Sequence, residues 1–168
     1  MNRVTRVSLI SDRTTPTPAR WRITVRDMAG ATLSTRDEPA TLAPLAATTV
    51  ATLDDTALFG TAAPTASYAV AELLVGDKPV SRAIVERAPP KDMAYPAPGL
   101  SARWKGRDVT ITATALARAV MLDFGDVAAQ PSDDGFDLLP GESITVAVAS
   151  EASPATLAKS LTLRTLAR

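Results

Sequence analysis

Asp133, Asp134, Asp137 and Glu142 place four carboxylates within ten residues. Two chemistries draw on such groups. Calcium takes six or more oxygen ligands that converge on one point. Glycoside hydrolysis takes two carboxyl groups about 5–9.5 Å apart across a sugar ring. The cluster lacks the loop spacing of a calcium motif, and Asp-Gly is common in turns, so turn chemistry is the favoured reading. The five Glu, at 38, 72, 86, 142 and 151, stand beside turns or on polar strand faces. None announces a catalytic context. The sequence therefore assigns no catalytic, cofactor-binding or metal residue.

Trp21 and Trp104 are the candidate sugar contacts, because an aromatic face pairs well with the apolar face of a pyranose. Each also falls on the apolar side of its strand's alternation, which favours a place in the core. Their exposure, with that of Tyr68 and Tyr95, separates a sugar-binding surface from a buried one. Arg20, Arg22 and Arg26 form a stripe that could meet an acidic partner, but a solvated sheet face is the simpler account.

Composition narrows the field further. The 168 residues carry 18 basic and 18 acidic side chains, so the formal charge is zero. Neutrality disfavours nucleic acid, whose binders displace counterions with a basic face, and also a polybasic membrane contact. No apolar run approaches the roughly 18 residues of a membrane span, and residues 1–8 lack a signal-peptide core. There is no Cys and no His. Disulfides, thiolate nucleophiles, imidazole-based triads and the usual His-based metal sites are thereby excluded. An enzyme made from this chain alone would depend on carboxylates, Lys or Tyr.

The elements that must position these residues are strands. Val4–Ile10 is apolar enough to lie between two neighbours, and Ser11–Pro18 with its two prolines breaks it. Over Arg20–Asp27, Trp21, Ile23 and Val25 face one way and Arg20, Arg22, Thr24 and Arg26 the other. Ala29-Gly30 turns into Thr32–Arg36; strands follow at Thr48–Leu53, Tyr68–Val75 and Val80–Glu86, with one helical turn from Asp54 to Phe59. Six strands at a spacing of roughly ten residues describe a sandwich. Pro89-Pro90 marks a stiff connection.

A second set follows: Leu100–Lys105, Val109–Thr114, Val120–Phe124, a short run at Phe136–Leu139, Ser143–Ser150, a turn at Glu151–Pro154, and Leu161–Thr165. Pro140-Gly141 suits a type II turn, Pro presetting φ and Gly accepting φ > 0. The fold class is all-β, two tandem immunoglobulin-like β-sandwich domains, at 1–88 and 89–168.

The run Ser132-Asp133-Asp134-Gly135-Phe136-Asp137-Leu138-Leu139-Pro140-Gly141-Glu142 resembles a segment in the C-terminal immunoglobulin-like domain of β-mannosidases, members of glycoside hydrolase family 2. That segment usually carries Asn where Asp134 stands and an aromatic where Gly135 stands. Thr110–Arg118 is similar to the strand pair before it. Val7–Arg13 and Val25–Gly30 resemble the family's penultimate immunoglobulin or carbohydrate-module-like domain. The resemblance implies a catalytic (β/α)₈ barrel elsewhere, whose acid/base occurs as Asn-Glu. The one Asn here is Asn2, followed by Arg3, so no catalytic residue carries over. A barrel also needs around 250 residues.

The expectation is a non-catalytic accessory region that packs against the catalytic barrel of the same polypeptide and supports it. The parent would be a retaining β-mannosidase. The chain reads as a C-terminal fragment whose first sandwich starts one strand late. No cofactor is expected, and neither nucleic acid nor membrane is an expected partner. Two alternatives come from other classes. One is a carbohydrate-binding module for mannose-containing oligosaccharides. The other is an adhesin- or chaperone-like sandwich that recognises protein by strand addition, with Val4–Ser11 as the open edge. Location stays open, a periplasmic or secreted parent being one option.

Overall fold

The computed structural model describes residues 4–166. It is 55% strand and 9% helix, and it divides into two compact units, residues 4–27 with 31–93 and residues 28–30 with 94–166.

The first unit contains β1 (Val4–Ser11), β2 (Thr17–Asp27), β3 (Thr32–Leu42), β4 (Ala46–Asp54), α1 (Asp55–Phe59), β5 (Ser67–Val75) and β6 (Lys78–Glu86). A four-stranded antiparallel sheet has the order β3-β2-β5-β6 and faces a two-stranded sheet, β1-β4. The period of two in β2 decides the packing. Trp21, Ile23 and Val25 are almost fully buried and meet Val7, Leu9 and Leu53 from the opposite sheet. Asp54 caps α1 by accepting the Thr56 amide at 2.8 Å, as a helix start requires. The turn then inserts Leu58 and Phe59 into the same core.

Three details depart from the sequence pattern. Pro18 lies inside β2 and Pro39 inside β3, which runs six residues beyond Arg36. Both are tolerated because each lies where one side of the strand carries no ladder. Pairing of β2 with β5 begins only at Arg20, and β3 is an edge strand. The third is β1. Its apolar content suggests two neighbours, yet among the described residues it pairs with β4 alone. Val4 and Ile10 lie on its outward face, opposite the buried Val7 and Leu9, and are exposed at 54% and 76%.

A 3₁₀ turn at Pro90–Asp92 follows the first set of strands. The second unit contains β7 (Ser101–Lys105), β8 (Asp108–Thr112), β9 (Ala117–Asp123), β10 (Gln130–Pro131), β11 (Phe136–Leu138), β12 (Ser143–Ala149), α2 (Pro154–Ser160) and β13 (Thr162–Arg164). The sheets are β10-β12-β8-β7 and β11-β9-β13. Val109, Ile111, Val120 and Val146 have no exposed surface and fill the space between them. The turn expected at Glu151–Pro154 continues into α2. Ser153 is its N-cap, accepting the Thr156 amide at 3.2 Å, and Pro154 occupies the first turn, where its missing N–H costs nothing. Leu157 from this helix is fully buried. Among the described residues no helix is long and apolar enough to cross a membrane.

Candidate functional site

The acidic run is engaged by the backbone around it. Asp133 accepts the amide of Asp134, and Asp134 accepts that of Leu122, each at 2.8 Å. Glu142 folds back to accept the Leu139 amide at 2.9 Å. Gly141 has φ +83°, and the Glu142 amide donates to the Leu139 carbonyl at 3.0 Å. Pro140-Gly141 is thus the type II turn its sequence describes. An Asn at position 134 would offer the same acceptor oxygen, which explains why Asp can stand there.

Asp137 has a more particular job. Phe136 pairs with Val120 and Leu138 with Ala117, so Arg118 and Ala119 together face Asp137. This is a β-bulge, two residues opposite one. Ala119 takes φ +49°, a conformation that suits Gly. One oxygen of Asp137 accepts both the Ala119 amide and the Arg118 Nε, each at 2.9 Å. Among the described residues no three metal-ligating side chains converge on one point.

The candidate sugar platforms are placed as follows. Trp21 is 2% exposed, with the Arg36 guanidinium 5.5 Å from its ring centroid. No face of that ring is left for a sugar. Trp104 is half-buried, packs against the second core and meets Phe124 edge-on at 6.4 Å. Tyr68 is buried and Tyr95 half-buried. The two Trp belong to different units. The Glu residues are equally dispersed: Glu38 on β3, Glu72 on β5, Glu86 ending β6, Glu142 in its turn and Glu151 before α2.

Two arginines of the β2 stripe, Arg20 and Arg22, meet their counter-charge on β3. Arg22 stands opposite Asp37 and donates from Nε at 2.8 Å, while Arg20 Nε donates to the other oxygen at 3.0 Å. The hydrogen bond from Arg22 is the main cause that holds the Asp37 carboxyl below its ordinary 3.8, and Arg20 reinforces it against a smaller opposing effect of burial. A folded-state value below the unfolded one adds stability above the unfolded value, and that stability is lost as pH falls through the folded one. Asp37→Asn is therefore expected to be less stable than the parent at pH 7. The two should converge as urea midpoints are followed below about pH 3.8. A constant gap across that range would contradict the pairing.

One feature has no counterpart in the sequence pattern. A groove of about 110 Å³ opens beside β1; apolar Val7, Leu9, Trp21, Ile23 and Leu73 line it together with polar Arg22, Glu72, Ser81 and Arg82. Register places Ile23, Ala71 and Ala83 on one line across the inner face, and Trp21, Leu73 and Ser81 on the next. Ser81 and Ala83 point to the core side of the sheet and are nonetheless exposed. In sequence, Ser81 and Ala83 flanking charged Arg82 read as an ordinary polar edge strand.

Comparison with known proteins supplies the remaining observation. Residues 3–92 match the family model described as a mannosidase Ig/CBM-like domain, and residues 95–168 match one described as an Ig-fold domain. Curated protein sequences give no match. Among solved structures, a β-D-mannosidase from Dictyoglomus thermophilum aligns with TM-score 0.67 at 10% identity, over 98% of this chain and 21% of that one. An exo-chitosanase from Amycolatopsis orientalis aligns with TM-score 0.58 at 14% identity, over 96% of this chain and 24% of that one. The chain thus spans about a fifth to a quarter of the length of those structures.

Proposed function

Because this chain belongs to the mannosidase Ig/CBM-like domain family through residues 3–92 and continues as an Ig-fold domain over 95–168, we propose that it is an accessory region of a β-mannosidase-like glycoside hydrolase. In this reading it packs against the catalytic barrel of a family 2 enzyme and supports it, without chemistry of its own. The tandem order of the two domain types over nearly the whole chain is the observation that carries the proposal. The resemblance of the Ser132–Glu142 run supports it, because its acidic side chains organise turns and a bulge instead of a pocket. The barrel would supply the two carboxylates of a retaining mechanism.

A carbohydrate-binding module is less well supported. Such a surface needs an accessible ring, and Trp21 is buried while Trp104 is half-covered by its own core. Two measurements test the accessory reading. The isolated chain should turn over no aryl β-mannoside above a blank. Produced together with a β-mannosidase-like barrel that lacks its own C-terminal sandwiches, it should co-elute with that barrel and raise its melting temperature. Turnover by the isolated chain, or a barrel indifferent to its presence, would refute the proposal.

A further inference from the structure

The segment between Pro131 and Phe136 carries the chain from one sheet of the second unit to the other. Ser132 is tied to β12: its amide donates to the Ala147 carbonyl at 2.8 Å, and its hydroxyl accepts the Ala147 amide at 3.1 Å. Further along, the chain is tied to β9. The Gly135 amide donates to the Val120 carbonyl at 2.8 Å, and the Asp134 carboxylate accepts the Leu122 amide at 2.8 Å. Asp134 and Gly135 are both exposed, and a Cβ on Gly135 would meet nothing within 4 Å. Asp134 is also the one Asp of the sequence that is followed by Gly; every other Asp precedes a residue with a side chain. That dipeptide has a chemistry of its own. The Gly amide nitrogen can attack the carboxyl carbon of the Asp side chain, and no Cβ on the following residue hinders its approach. A C–N bond forms, and the carboxyl hydroxyl leaves as water with the amide proton. Water then reopens the succinimide ring at either carbonyl. One opening returns Asp; the other leaves isoaspartate, in which the main chain runs through the side-chain carbon.

We infer that Asp134–Gly135 is a site of spontaneous isomerisation to isoaspartate, and that the folded second unit suppresses the reaction by holding both reacting groups on β9. The attacking nitrogen donates its proton to Val120, and the carbon it must reach belongs to a carboxylate engaged by Leu122 on the same strand. Neither group can turn towards the other until its bond to β9 is released. Reaction therefore proceeds from locally open molecules, whose population falls as the free energy of opening rises. The product cannot restore the crossing. Isoaspartate inserts the side-chain carbon into the main chain before Gly135 and leaves the carboxylate on the α-carbon. Leu122 and Val120 then lose partners that the original spacing had placed for them. Phe136, the next residue, starts β11, so the fault lies where that strand enters its sheet. A transient opening is made permanent, as happens whenever chemical change overtakes refolding. The inference stands apart from the accessory reading, since it uses only bonds within the second unit.

The test is to incubate the full chain, folded or in denaturing urea, and to read isoaspartate by enzymatic methylation of isoaspartyl carboxylates, with peptide mapping to place it. Isoaspartate at position 134 should accumulate in the unfolded chain and form about tenfold or more slowly in the folded one, which reacts only through its open fraction. Asp134→Asn keeps the acceptor oxygen and closes the same ring with loss of ammonia, so its change in mass should show the same contrast. Asp137→Ala, which unpins the neighbouring bulge, should quicken hydrogen exchange of the Leu122 and Gly135 amides and isomerisation by a like factor. Sub-denaturing urea does the same to the unsubstituted chain. The purified isoaspartyl form should have a lower urea midpoint and should lack protection at those two amides. The inference is overturned by equal rates in the folded and unfolded chains, by no isoaspartate at position 134 in the unfolded chain, or by isomerisation that does not follow exchange of the two amides.

Discussion

Trp21→Ala is expected to cost the first unit about 3–5 kcal/mol, the range for truncating a buried aromatic. The ring is 2% exposed on the inner face of β2, between Glu38 of β3 and Leu73 of β5 in register. Its removal leaves a cavity continuous with the groove beside β1, so water enters where the indole stood. The Arg36 guanidinium over the ring also loses its partner and keeps only Glu38, whose Oε1 it donates to at 2.7 Å. Denaturant melts followed by a probe specific to the first unit should show the shift, and Trp21→Phe should recover much of it. A loss below about 1 kcal/mol would mean that the ring is a surface group after all, as a sugar platform would be.

Asp137→Ala is expected to cost the second unit about 2–3 kcal/mol. One carboxylate oxygen holds both members of the bulge in β9, the Ala119 amide and the Arg118 guanidinium. Without it, a partly buried amide faces no acceptor and β9 loses the contact that fixes Ala119 at φ +49°. Asp137→Asn keeps an acceptor oxygen and should cost less. Ala119→Gly should move the other way, raising stability by about 1 kcal/mol, because a left-handed alanine carries roughly that strain. Urea titrations of the three variants decide the matter. An Asp137→Ala protein with parental stability would show that the bulge is held by sheet packing alone.

These residues also show which parts of the fold the sequence could disclose. Trp21, Ile23 and Val25 alternate so strictly that β2 and its buried face followed at once, and Pro140-Gly141 named its turn type. Pro154 was harder. The same residue ends one element or begins another, and only Ser153 bonding to the Thr156 amide distinguishes the start of α2 from a plain turn. Pro18 and Pro39 look like breaks until it is known that each faces a side with no ladder. The bulge at Ala119 leaves no trace in local composition, since its cause, Asp137, is 18 residues away. That β1 has no second neighbour among the described residues is likewise a property of the whole sheet; by composition the residues of β1 read as those of an interior strand, and only the family resemblance suggested an open edge there. The site was legible only in part for a related reason. The conspicuous acids and aromatics serve local geometry, and the groove opens where Ser81 and Ala83 of β6 leave the inner face uncovered, small residues that carry no signal of their own.

Pro39 has a consequence for how the protein behaves at high concentration. β3 is the outermost strand of its sheet, and such a strand offers a template on which other chains can add and grow into aggregates. On an edge strand the donor that Pro lacks falls on the solvent side, so an approaching chain finds a gap in the row it must match. Arg36, Asp37 and Glu38 precede that gap and add charge to it. Along β3 the sheet is terminated chemically as well as spatially, and indiscriminate stacking through that side is discouraged in the folded protein.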